Sequence, residues 1–176
     1  MSDTDIKTIH TSASSNQYAD HVFEPHDHAA CVSQTVAAAE AKCTHDRARL
    51  TETRRKVLDF LLEEHRPLGA YAILDKLGDG GQRAQPPVAY RALDFLIENG
   101  LAHRIESLNA YVACRNPSQC AAPTFLICQH CNLVAESFAE QHPSPLRAAA
   151  DEMGFVIERE LREVSGTCPT CHKAAA

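Results

Sequence analysis

Two C-x-x-C pairs, Cys128/Cys131 and Cys168/Cys171, stand 36 residues apart in a chain of 176. Two residues between cysteines let one tight turn aim both sulfurs at a single point. Four thiolates complete the tetrahedron that zinc prefers. The separation exceeds that of a simple zinc ribbon, so a folded strand–helix–strand segment is expected to fill it. The ion would then tie the C-terminal tail back onto the first hairpin. A closed Cys₄ site has no open coordination position, so its role is structural.

Two rival chemistries fit these cysteines poorly. A thiol–disulfide centre places one C-x-x-C at a helix N-terminus, and here both pairs sit beside strands or the chain end. A zinc deaminase needs H-x-E with P-C-x-x-C, and neither string occurs. No catalytic constellation emerges, and the chain is expected not to be an enzyme.

The other four of the eight cysteines are Cys31, Cys43, Cys114 and Cys120. The chain has no apolar run long enough for a membrane and no signal-peptide pattern. A cytoplasmic protein is expected, without membrane or small-molecule partners. In a reducing compartment so many cysteines point to metal or redox chemistry rather than disulfides.

The net charge of −6 is unevenly spread: −5 over residues 1–41, +2 over 42–104 and −3 over 105–176. The middle alone is positive, so phosphate contacts belong there. Residues 1–30 are polar and read as a loose extension. They carry His10, His21, His26 and His28, a solvated tail by preference over an accessory metal site.

From about residue 32 helical signals begin. VSQTVAAAEAKC is Ala-rich, and LTETRRKVLDFLLEEH has Thr51 as N-cap and Val57, Leu58, Leu61 and Leu62 on one face. Pro67 is expected to end that helix. GAYAILDKLG is a third helix before the GDGG turn. In QPPVAYRALDFLIENG, Pro86 and Pro87 start a helix and Asn99-Gly100 ends it. Its expected buried stripe is Val88, Ala92, Leu93, Leu96 and Ile97. LAHRIES and AYVAC are short strands joined by a turn at Leu108-Asn109. Helices followed by a two-stranded ribbon predict a winged helix-turn-helix.

RNPSQCAAP reads as a hinge. TFLIC and LVAES are strands flanking the first C-x-x-C, PLRAAADEMG is a helix, and FVIERELREV is a third strand with Phe155, Ile157 and Leu161 inward. So small a unit has a marginal core, which predicts pairing with a second copy as a homodimer. The fold class is α+β. The expected segments are 1–30 (extension), 31–114 (winged helix), 115–122 (hinge) and 123–176 (dimerisation and zinc binding).

Around the hinge stand His103, Cys114, Cys120 and Glu136. If the two domains pack there, a nitrogen, two sulfurs and a carboxylate favour zinc over hard cations. From spacing alone, a half-exposed His, two buried Cys and a surface Glu are the preferred reading. Cys43 reads as helix packing and Cys31 is open. His65, His130, His142 and His172 read as exposed rather than ligating.

LTETRRKVL, PPVAYRALDFLIENGLAHRIES, NAYVAC and FLICQHCNLVAE together resemble the ferric-uptake-regulator family, in its zinc-sensing branch, the zinc uptake regulators. The match covers residues 33–172. The resemblance implies a homodimeric repressor of zinc-uptake genes with an N-terminal winged helix and a C-terminal dimerisation domain. It implies two zinc ions per protomer. Cys128, Cys131, Cys168 and Cys171 match the structural site. His103, Cys114 and Glu136 match three of the four sensing ligands, and Cys120 stands where the family has a second His. The family's iron and peroxide sensors carry a His-rich run before the first C-x-x-C. CAAPTFLIC lacks it, which favours zinc over iron or peroxide sensing. A cytosolic zinc or thiol-redox protein without DNA is the alternative from another class.

In the operator complex so implied, helix 86–99 enters the major groove of double-stranded DNA. Arg91 is the candidate for bidentate guanine contact, and Tyr90 resembles a DNA-contacting family residue. Arg47, Arg49, Arg54 and Arg55 are candidate phosphate contacts. A solvated helix face is the other reading of Arg54 and Arg55.

Overall fold

A computed structural model describes residues 22–23, 26–78, 85–119, 123–137 and 145–175. It opens on α1 (His28–His45), earlier than the Ala-rich run suggests. The side chain of Asp27 accepts from Ala30 N at 3.1 Å. This N-cap satisfies a helical donor that would otherwise be orphaned and fixes the start. Thr35, Ala39 and Cys43 form the buried stripe of α1, so Cys43 packs as expected.

α2 (Glu52–Leu62) buries Val57, Leu58, Leu61 and Leu62. Thr51 has the extended backbone of an N-cap but makes no side-chain cap bond, and α2 closes before Pro67. α3 (Ala70–Gly78) contributes Ile73. α4 (Pro86–Glu98) contributes Ala89, Ala92, Leu93 and Leu96. Its stripe is shifted by one position at the start: Ala89 is inside, while Val88 is 42% exposed. The 3.6-residue period from Leu93 and Leu96 leads back to position 89 as well as 92, and the small alanine fits the close helix contact. Each fully buried large aliphatic side chain of this core contributes about 1.5–3 kcal/mol.

β1 (Ala102–Ile105) and β2 (Ala110–Ala113) pair antiparallel, with His103 opposite Val112. A single turn of 3₁₀ helix, Glu106–Leu108, joins them. Asn109 closes it at φ +46°, a left-handed conformation that asparagine tolerates. This hairpin is the wing of a winged helix.

The second module is a three-stranded sheet of β3 (Thr124–Cys128), β4 (Val134–Ser137) and β5 (Arg162–Gly166) in the order β4-β3-β5. β3 and β4 are antiparallel, and β3 and β5 parallel. α5 (Pro145–Glu152) precedes β5, and α6 (Pro169–Ala174) follows it. The third strand therefore starts later than the FVIERELREV pattern suggests. Phe155 is 63% exposed and Leu161 45% exposed, and neither points into a core of this chain.

The two modules meet in a small apolar core. Ile105 and Val112 of the wing pack with Phe125, Ile127 and Val134 of the sheet. Polar contacts reinforce the joint. The Glu163 carboxylate accepts from the backbone N–H groups of Glu106 and Ser107 at 2.6 and 3.0 Å. Val134 N donates to His65 O at 3.1 Å. No helix among the described residues is long and apolar enough to cross a membrane.

Candidate metal centres

The first cysteine pair sits on a turn built for it. Asn132, at φ +58°, lets the chain double back so that its N–H donates to Cys128 O at 2.9 Å. Gln129 N donates to Gly166 O at 2.9 Å, which lays this turn against the end of β5. The second pair departs from the expectation that both pairs lie beside strands or the chain end: Cys168 caps the short helix α6, and its Sγ accepts from Cys171 N at 3.4 Å. Parallel pairing of β3 and β5 brings both pairs to the same end of the sheet. One ligand atom from each of Cys128, Cys131, Cys168 and Cys171 lies within 4.8 Å of all the others. Cys131 Sγ and Cys168 Sγ are 3.8 Å apart.

The electrostatics fit a cation. Burial raises the Cys128 thiol, but backbone N–H groups at Cys168, Cys131 and His130 outweigh it and bring the value below the usual range. Cys171 moves up, chiefly through its hydrogen bond to Cys168 and then through burial. Thiols this close cannot all ionise against one another. A dication removes that conflict, and an all-sulfur tetrahedron suits zinc.

His103, Cys114 and Glu136 form a second set, with ligand atoms within 4.8 Å of one another. His103 comes from β1, Cys114 follows β2, and Glu136 comes from β4, so the set spans the joint between wing and sheet. His103 Nε2 lies 3.9 Å from Glu136 Oε1. Arg115 N donates to Glu136 Oε2 at 3.3 Å. The His103 ring packs edge-on against Phe125 with centroids 5.2 Å apart, which holds its orientation. Glu136 is 2% exposed, not a surface residue. A carboxylate so deeply buried is costly unless charge and hydrogen bonds compensate it. Imidazole, thiolate and carboxylate together suit zinc. Cys120 lies outside the described residues.

A third set takes in His26 and His28, which the sequence reads as a solvated tail in preference to an accessory metal site. His26, His28, Cys31 and His65 bring ligand atoms within 4.8 Å of one another. His65, expected exposed, is partly buried, and its pKa is lowered to about 4, first by burial and then by the Arg115 cation and the neighbouring imidazoles. α1 starts at His28 and lays the H-x-H-x-x-C string across the end of α2, which covers His65. The string was readable in the sequence, but its meeting with His65 is tertiary.

The exposed face of α4 carries Pro86, Pro87, Val88, Tyr90, Arg91 and Asp94. Arg47 and Arg49 are exposed in the loop before α2. Arg54 and Arg55 are engaged within the module. Arg54 stacks 3.6 Å from the Phe95 centroid and donates to Arg49 O at 2.6 Å. Arg55 pairs with Asp59 at 2.9 Å and with Glu40.

The fold and its ligand sets define the class, a winged-helix protein equipped with metal-binding side chains. No protein-family model matches the chain. The zinc uptake regulation proteins of Escherichia coli (strain K12) and Shigella flexneri are each 36% identical to it over 146 residues, 81% of this chain and 84% of theirs. A solved zinc uptake regulator complexed with zinc and DNA aligns at a TM-score of 0.75 and 34% identity, over 82% of this chain and 97% of that one. The crystal structure of holo XcZur aligns at 0.71 and 38% identity, over 81% of this chain and 99% of that one. The chain belongs to the zinc uptake regulator family.

Proposed function

We propose that this chain is a zinc-responsive DNA-binding repressor of zinc uptake and homeostasis genes, acting as a homodimer with a structural and a sensing zinc in each protomer. The observation that carries the reading is the ligand set His103, Cys114 and Glu136, drawn from both sides of the joint between wing and sheet. Cys128, Cys131, Cys168 and Cys171 would hold the structural ion, and Cys120 would complete the hinge set. Bound there, zinc supplies two positive charges that tie wing to sheet.

His103 and Cys114 are fixed to the wing, and Glu136 to the sheet. Drawing them together sets the angle between the DNA-reading module and the dimer core. A dimer needs its two recognition helices about 34 Å apart to enter successive major-groove turns. Without a tie at the joint that geometry is a minor population. A coupling of about 3 kcal/mol corresponds to roughly a hundredfold change in operator affinity. Arg91 and Tyr90 on α4 would meet base edges, and Arg47 and Arg49 the phosphates, with Arg54 and Arg55 holding the module's shape beside them.

The homodimer is supported by apolar surface on the second module. Leu146, Met153, Phe155, Val156, Leu161 and Val164 are between 45% and 81% exposed. So much apolar surface on one small module fits burial against a second copy. The segments 31–114, 115–122 and 123–176 would then act as reader, hinge and dimer core, in the cytoplasm where operator DNA lies.

Cys114→Ser tests the reading directly. The variant should remain a folded dimer, hold one zinc fewer per protomer, and lose roughly a hundredfold in operator affinity by gel shift. Operator affinity equal to that of the parent chain would exclude the hinge set from sensing.

A further inference from the structure

We propose that His26, His28, Cys31 and His65 form a further zinc site, distinct from the cysteine cluster and the hinge set, that fastens the start of α1 to the end of α2. His28 and Cys31 are three apart on α1 and therefore share a face. His26 precedes them in the chain turn before the helix. His65 comes from the loop after α2, with a sequence separation of 39 from His26. Their ligand atoms lie within 4.8 Å of one another. Zinc–nitrogen bonds of about 2.0–2.1 Å and zinc–sulfur bonds of about 2.3 Å fit one ion within that spread after small side-chain adjustments.

The strongest pointer is the tautomer of His28. Its Nε2 lies 2.9 Å from the Glu63 carbonyl oxygen, which only accepts. In the neutral ring Nε2 then carries the hydrogen and Nδ1 the lone pair, the form in which imidazole ligates a metal. That Nδ1 is buried and has no hydrogen-bond partner among the described residues. A histidine whose other nitrogen donates to a backbone carbonyl has the usual arrangement of a metal ligand. The three rings are also packed together, with centroid separations of 4.8, 5.0 and 5.9 Å. His26 Nε2 and His65 Nε2 approach to 2.9 Å. Solvated tail histidines do not crowd in this way. Three imidazoles and one thiol form a soft, nitrogen-rich set that suits zinc and excludes magnesium or calcium.

The site adjoins the hinge without sharing a ligand with it. Arg115 directly follows Cys114, and its guanidinium reaches both Cys31 Sγ, at 3.2 Å, and His65 Nδ1, at 3.5 Å. One narrow cavity is lined by Cys31, His65, Arg115 and Glu136. An ion here would anchor residues 26–31 against the joint that the hinge set spans.

The test is zinc occupancy of the full-length dimer, read by native mass spectrometry over a series of buffered zinc concentrations. Cys31→Ser and His28→Ala should each hold one zinc fewer per protomer than the parent at saturation. Cys114→Ser should retain this ion while losing the hinge ion, which separates the proposal from the sensing role of the hinge. In cobalt-loaded protein, Cys31→Ser should lose thiolate-to-cobalt charge-transfer intensity relative to the parent. Should Cys31→Ser fail to fold, His28→Ala decides, because the His28 side chain touches this cluster and the Glu63 carbonyl. Parent-level zinc occupancy in folded His28→Ala, with unchanged cobalt spectra, would overturn the proposal.

Discussion

The four-cysteine cluster draws every ligand from one module, whereas His103, Cys114 and Glu136 come from both sides of a joint. The first set closes the end of the β4-β3-β5 sheet, and its ligands are placed by turns and a helix cap that belong to that sheet. The second is placed by tertiary packing, through the shared core of Ile105, Val112, Phe125, Ile127 and Val134. Loss of metal should therefore act differently at the two. At the cluster it should remove the fold of a module. At the joint it should leave both modules folded and change only how they sit together.

The sharpest way to break this comparison is Cys128→Ser. The sheet module is small and much of its apolar surface faces outward, so a metal at the cluster is expected to carry much of its stability. The variant should lose the structural zinc, the C-terminal fold and the dimer, measured by metal analysis and analytical ultracentrifugation. A stable dimer with that zinc still bound would make the two sites equivalent in kind.

A smaller effect belongs to the reading face. Arg91→Ala should cost about 1–3 kcal/mol of operator binding and relax base preference at one position. Metal content and dimerisation should be unaffected. A uniform loss across all sequences would move Arg91 to the phosphate contacts.

The smallest expected effect sharpens the account of the joint itself. Burial pushes Glu163 up, but hydrogen bonds from Ser107 and from the Glu106 backbone outweigh it and hold its carboxyl below its ordinary value of 4.5. A depressed carboxyl contributes stability that is present above the unfolded value and lost as the pH falls through the folded one. Glu163→Gln should therefore destabilise by about 1 kcal/mol at neutral pH. The difference from the parent should shrink in acid, as measured by urea unfolding over a pH series. A difference that does not depend on pH would remove the carboxylate from the joint.

Much of this was legible in the chain. The first C-x-x-C pair encodes its own turn, and Pro86-Pro87 and Asn99-Gly100 mark both ends of α4. The wing followed from two short runs around Leu108-Asn109. Positions decided by long-range packing were harder. Val88 and Ala89 exchange inside and outside because helical periodicity leaves the first turn of α4 ambiguous. Phe155 and Leu161 carry the pattern of a buried strand yet stand exposed, because β5 begins only at Arg162, after both of them. Glu136 looked like a surface residue because nothing local reveals that β4 packs beneath the wing. His65 could be placed among His26, His28 and Cys31 only once α1 was seen to begin at His28.

The central claim, that the hinge ligands set the geometry of the reading heads, is tested most directly by selective metal removal. A graded chelator series on the full-length dimer should empty the hinge before the closed four-cysteine cluster, with occupancy followed by native mass spectrometry. The account predicts that operator affinity falls roughly a hundredfold as the hinge empties, while the dimer and the cluster zinc persist. Undiminished operator affinity in dimers that retain only the cluster zinc would contradict it.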